Sequence, residues 1–226
     1  YIKYYGKETP LPKPSFSMIR ETEFFNNPDS VWVLPLSKNV YYQFNYEGIY
    51  FFQPDTNIHA GLTLLNFDQH YPREQKVQQM IEPLAYLATS VEYDQLKKAT
   101  NKKLAVDNFW LSKAGNTDKA RELIKAYYGR VYFANYYFTS YKPGWKTDRG
   151  MIFIIYGPPQ SVKVTSTQEK WIYYKNNFTT SVTFTFNHNP TWLSLNNYTL
   201  ERSDSYDTYW RTAVDTWRKG NIYLID

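Results

Sequence analysis

His59, His70 and His188 are the residues best suited to metal or proton chemistry, yet they stand far apart and none falls in an HExxH or other metal spacing. Each is read as a surface or hydrogen-bonded structural histidine. Glu201, Asp204 and Asp207 form a small acidic group that could flank a sugar as paired carboxylates do in glycoside hydrolysis. They also fall at the first turn of a helix candidate, where acids suit the helix dipole, and that is the simpler reading. No GxSxG elbow, Gly-rich phosphate loop or nucleotide fingerprint occurs. Cysteine is absent, which removes thiol catalysis, thiolate metal sites and disulfides together. The expectation is no catalytic residue, no metal and no cofactor.

What remains is "YKPGWKTDRGMIFIIYGPP", residues 141–159. Pro143 and Gly144 suit the two central positions of a type II turn that presents Trp145 in a defined direction. Thr147 and Asp148 can cap backbone amides, and Gly150 would let the chain bend into the apolar run that follows. Arg149 needs an acceptor if buried, because an unpaired guanidinium there costs several kcal/mol. Asn135 and Arg130 lie on the helix candidate just upstream. We expect Asn135 to hydrogen-bond the turn and Asp148 to meet a helix arginine, making the stretch a folding corner ahead of a ligand loop.

These residues need elements to hold them. A chain of 226 residues, 42% apolar, can fill a core, and 19% aromatic content means that rings supply much of the packing. The first fifteen residues carry three prolines and read as an extended arm on the surface or on a partner. "SVWVLPL", "VYYQFNYEG", "IYFFQPD" and "HAGLTLLNFD" read as short antiparallel strands. From about residue 74 the period becomes helical. Thr89 and Glu92 fit a capping box, with Tyr93, Leu96, Thr100 and Leu104 continuing on one face. Ala120, Ile124, Tyr127, Val131, Ala134 and Phe138 form a second stripe, expected to pack on a sheet.

That sheet is expected from "MIFIIY", "SVKVTS", "KWIYYK", "TSVTFTFN" and "WLSLNNYTL", with the wholly apolar "MIFIIY" as its central strand. A closing helix carries Tyr206, Trp210, Val214 and Trp217 on one face, with Gly220 near its end. The predicted class is α+β: an N-terminal antiparallel β section with its arm over residues 1–73, then over 74–226 a helical middle and a C-terminal, mostly antiparallel sheet packed by helices. No apolar run approaches the ~18–20 residues that span a bilayer. The charge of +5 admits anionic partners, but Lys97, Lys98, Lys102 and Lys103 read as a solvated helix face, and no nucleic-acid partner is expected.

The order "YYGRVYFANYYF", "GWKTDRG", "IFIIYGPP", with "GLTLLNFDQHYPREQKVQQMIEPLAYLATSVEYDQL" and "DNFWLS" upstream, resembles the GWxTD domain family of Bacteroidota and their relatives. Gly144, Trp145, Thr147, Asp148, Arg149, Gly150, Tyr156, Gly157 and Pro159 match the signature. Gln160 departs from it, since members tend to carry an acid there. The resemblance implies an exported, periplasmic or outer-membrane-associated protein, often lipid-anchored, with no established catalytic activity to carry over. The start lacks an acylated cysteine, which implies a trimmed product or a non-lipid anchor. In that setting Asp29-Ser30-Val31 fits a short O-glycosylation pattern at Ser30, whereas the sequons at Asn177 and Asn197 matter only in a eukaryotic secretory pathway.

The expected function is therefore a non-enzymatic interaction or scaffold module of the bacterial cell envelope, a part of an outer-membrane-associated secretion or surface-display complex. The alternative is a carbohydrate-binding module or glycan-active enzyme using Trp192, Tyr198 and Trp210 as stacking platforms with Asp204 and Asp207 as polar contacts. The partner would be a periplasmic or outer-membrane protein complex, or a glycan.

Overall fold

A computed structural model describes residues 1–6, 9–19, 27–35, 41–58, 60–174 and 181–224, and the class is α+β as predicted. Strands β1 (Ile2–Tyr5), β2 (Ser30–Trp32), β3 (Gly48–Phe52) and β4 (Leu62–Asn66) form an antiparallel sheet in the order β2-β1-β3-β4. Helices α1 (Val77–Ile81), α2 (Ser90–Lys98), α3 (Lys102–Ala114), α4 (Thr117–Phe138) and α5 (Asp148–Tyr156) follow. A second antiparallel sheet runs in sequence order through β5 (Ser161–Val164), β6 (Gln168–Tyr174), β7 (Ser181–His188) and β8 (Tyr198–Leu200). Helix α6 (Asp207–Arg218) closes the chain.

The N-terminal arm, expected to lie on the surface or on a partner, begins inside the first sheet. Residues 2–5 pair on both sides, with β2 and β3, and so form an inner strand of the first sheet. The proline segment then lies along the protein's own body: Ser15 is fully buried, Leu11 and Phe16 pack on the main core, and the Lys13 carbonyl accepts from Arg202 at 3.1 Å. Pro in an extended conformation costs little to order, so it suits a strap laid over a finished surface. Residues 41–47 of "VYYQFNYEG" form no strand, its Gly48 opening β3, and Asn66 binds the carbonyls of Phe44 and Tyr46 with its side chain instead.

The largest correction is "MIFIIY", which is helix α5 and not a strand. A short run that is apolar at every position is consistent with either a buried strand or a helix buried on all sides, so periodicity cannot separate them. Its flanks decide: Thr147 accepts the Gly150 N–H at 3.0 Å as an N-cap, Asp148 sits in the first turn, and Gly157 ends the helix with φ 85°. Met151, Ile152, Ile154 and Ile155 are fully buried at the centre of the main core.

The capping box of Thr89 and Glu92 is present, with reciprocal bonds of 3.2 and 2.8 Å. The continuous face expected beyond it is broken: Ala99 leaves the helical region, Asn101 caps a new helix, and Leu104 is exposed. Helix α4 buries Ala120, Tyr127, Val131, Ala134 and Phe138 as expected, while Ile124 is half-buried and Leu123 takes the inner place. It packs on α3 and α5 and not across a sheet, which it meets where Phe138 touches Trp171 at 5.2 Å between ring centroids. In α6, Trp210, Ala213 and Trp217 are buried and Tyr206 and Val214 pack beside them. The first sheet has its own smaller core of Tyr5, Ile49, Phe51 and Leu193, closed by Tyr141 and Trp192.

Candidate functional site

The sequence-singled stretch forms a corner where three backbones meet with no room for side chains between them. Residues Gly144–Lys146 make one 3-10 turn, not a type II turn, and Gly144 is not among the positive-φ glycines. Its requirement for glycine is spatial: a Cβ there would stand 1.9 Å from the Ala134 carbonyl oxygen of α4. Gly150 answers the same demand one layer on, since its Cβ would stand 1.9 Å from the Gly144 oxygen. Helix α4, the turn and the first turn of α5 are therefore stacked backbone on backbone.

Side chains then lock the stack. Thr147 Oγ1 donates to the Gly144 carbonyl at 2.7 Å while accepting from Gly150, so one hydroxyl joins turn and helix. Asn135 behaves as expected and does more. Its Oδ1 accepts the Trp145 N–H at 3.0 Å, and its Nδ2 donates to the Pro72 carbonyl at 3.0 Å and to Glu74 Oε1 at 2.9 Å. The Trp145 carbonyl takes the Tyr86 hydroxyl at 2.8 Å, and the indole is buried. Tyr71 Oη accepts the Gly144 N–H at 3.3 Å and is also bonded to Thr139, and burial pushes its hydroxyl up to about 12.

Asp148 does not meet Arg130. Its carboxylate accepts from Arg202 at 2.7 and 3.3 Å and from the Leu200 N–H at 2.8 Å, tying the start of α5 to the end of β8. Arg130 instead serves the other end of α5: Nη1 donates to the Ile154 and Ile155 carbonyls, both at 3.1 Å, and Nη2 to Tyr223 at 2.8 Å. A cation on the last carbonyls of a helix suits both their unmet acceptors and the dipole. Burial lowers this guanidinium to about 10. Gly157 must be glycine twice over, by φ and because a Cβ would lie 2.8 Å from Arg130 Nη2.

Arg149 finds acceptors for its two Nη groups, Glu169 at 3.0 Å and Asn196 through both its carbonyl and its side chain, while its Nε is buried without a partner among the described residues. It also lies 3.9 Å above the Tyr198 ring. Burial lowers its pKa despite Glu169. Tyr156 packs on Phe184 and Tyr223 with its hydroxyl buried and unpartnered among the described residues, and burial raises its pKa. Pro159 is half-buried past the helix, and the Gln160 side chain accepts from the Tyr174 N–H at 3.3 Å.

Ser30 lies apart from this corner, on edge strand β2 of the first sheet. His59 and Asn177 fall outside the described residues. His188 bonds the Leu195 carbonyl at 2.9 Å and stacks on Tyr198, while His70 is exposed. No group of three or more His, Cys, Asp or Glu among the described residues could hold a metal ion. The rings of the glycan alternative do not form an exposed row: Trp210 is buried, Trp192 packs on Phe51, and Tyr198 lies under Arg149. Asp207 pairs with Arg211 at 2.8 Å.

Sequence reading missed Glu74, Tyr71, Tyr86, Glu169, Asn196 and Arg202, which complete the corner from four other segments. No local pattern marks them, because their roles arise only from where the chain returns. The lone signal was a need: a buried Arg149 had to find an acceptor somewhere.

No curated protein and no solved structure matches the chain. The GWxTD domain model matches residues 48–219, from the third strand to the end of the last helix and across the whole corner. With Gly144, Trp145, Lys146, Thr147 and Asp148 at its centre, the chain belongs to the GWxTD domain family.

Proposed function

We propose that the protein is a non-enzymatic interaction module of the bacterial cell envelope, a component of an outer-membrane-associated secretion or surface-display assembly, and that strand β4 is where an extended segment of a partner polypeptide docks. The observation that carries the docking reading is the edge. No described strand pairs with the outer side of β4, and its Leu62, Leu64 and Leu65 are 60%, 41% and 37% exposed. An apolar edge strand with free N–H and C=O groups is a template for another strand, and natural edges are ordinarily blunted by charge, shortness or a cover. The other edges here follow that rule: β2 has three residues, β5 carries Lys163 between its valines, and β8 has its Leu200 N–H taken by Asp148. In β4 no such device is present among the described residues.

The corner supports the same reading, since Asp148, Arg130 and Arg149 are engaged in holding elements together. The envelope setting follows from what the family resemblance implies. No helix among the described residues is long and apolar enough to cross a membrane. Crosslinking and co-purification from native envelopes tests the proposal. A partner should be recovered with the wild-type chain and lost with Leu62→Lys plus Leu64→Lys, whose exposed side chains leave the core intact. Recovery of free monomer alone, or equal recovery with the lysine variant, would overturn it.

A further inference from the structure

The corner borders open space beside Trp145. Between the first sheet and the Gly144–Lys146 turn lies a cavity of about 200 Å³, walled by Tyr71, Tyr141, Trp145 and Lys146 and floored by Glu74 and Glu82. Pockets for whole drug-sized ligands run from about 300 to 1,000 Å³, so this one suits a single group or a side chain.

Its charge is unbalanced in a specific way. Four carboxyl groups line it, Glu47, Asp68, Glu74 and Glu82, against Arg73 and Lys146. Asp68 is paired with Lys76, and Glu82 with Lys146 at 3.4 Å. Arg73 lies over the Tyr132 ring at 5.7 Å, and Glu47 is on the exposed rim. Glu74 is the one that is largely buried without a cation among the described residues: Asn135 donates to its Oε1, and Oε2 accepts nothing there. Among the described residues the excess of carboxylate disfavours an anion, and those groups do not form a three-ligand metal site.

We propose that this cavity binds a primary ammonium group, which donates to Glu74 and lies against the rings of Tyr71 and Tyr141. The pairing is an N⁺–H···O⁻ hydrogen bond in a partly desolvated site, with aromatic faces that favour a cation. The Glu74 carboxyl supports it. Burial pushes the group up to about 7, Asn135 works against the rise, Glu82 and Asp68 add to it and Lys146 lowers it. A carboxyl that burial makes harder to ionise gives up its proton more readily when an ammonium arrives. The inference rests on the cavity and not on the β4 edge, and stands if that edge proves empty.

Calorimetric titration of the full chain with n-propylammonium and with its neutral analogue n-propanol tests it. The ammonium should bind saturably and the alcohol should not. Binding should tighten about tenfold or more from about pH 5.5 to about pH 8.5 as Glu74 ionises. Glu74→Gln, which keeps the shape and the Asn135 bond, should lose the binding and its pH dependence with near-ultraviolet circular dichroism unchanged. An acetylated, amidated Gly-Lys-Gly peptide separates the sources: binding tighter than propylammonium assigns a partner's lysine, weaker binding a free amine. Equal binding of propanol, pH-independent ammonium binding, or undiminished binding by Glu74→Gln would overturn the proposal. Should that variant fail to fold, the wild-type pH and ligand series decides alone.

Discussion

Thr147 carries the densest duty per atom in the corner, because one hydroxyl both caps α5 and holds the carbonyl of Gly144. Replacing it by Ala removes both bonds and should cost about 1–2 kcal/mol, the range of a strong N-cap, while Ser should restore most of it. Urea unfolding of the two variants checks this, and equal losses for Ala and Ser would argue against the hydroxyl. Glu74 makes a second residue-scale prediction through pH. Its folded pKa of about 7 lies above the ordinary 4.5, so the folded state holds the proton more tightly. The associated stability is present at about pH 4.5 and lost as pH rises through about 7, an effect on the order of 1–3 kcal/mol that Glu74→Gln should abolish. Unfolding curves across that range, compared between wild type and variant, carry the test. At this scale the Asn135–Trp145 bond was legible because helix stripe and turn are neighbours in sequence. The partner of Asp148 was not, since Arg202 lies 54 residues away and Arg130 was the nearer arginine.

Among the elements, two glycines near each other in sequence make opposite demands. Gly129 lies mid-way along α4, and a Cβ there would meet nothing within 4 Å. Gly129→Ala should stabilise the protein by about 1 kcal/mol from helix propensity alone. Gly150→Ala enjoys a similar gain in propensity but drives a methyl into the Gly144 carbonyl, so it should be destabilising by about 1–3 kcal/mol or more, as overpacking is. Thermal unfolding of both variants checks the contrast, which propensity alone cannot produce. The same elements show where pattern reading stops. The stripe on α4 was legible from its three-and-four spacing, but the expected sheet beneath it is α5, a helix whose run of apolar residues carries no period. Its N-cap, first-turn acid and C-terminal glycine were all visible in the sequence, and they outweigh the apolar run as evidence.

For the whole molecule, the GWxTD corner is the place where helices α4 and α5, the end of β8 and the loop before α1 are held to one another. The two proposed binding surfaces, the β4 edge and the cavity beside Trp145, border this frame. The class and the order of β, helical and β regions were legible from composition shifts along the chain. The arm's place inside the first sheet was not, because proline spacing reports extended backbone and says nothing of what lies beside it. The claim that the motif is a structural clasp is tested most directly through Asn135, whose one side chain joins the turn, the Pro72 carbonyl and Glu74. Asn135→Leu fills the space but leaves three polar groups without their partner, and equilibrium urea unfolding should show a loss of about 2–4 kcal/mol. A variant as stable as the wild type would contradict the account.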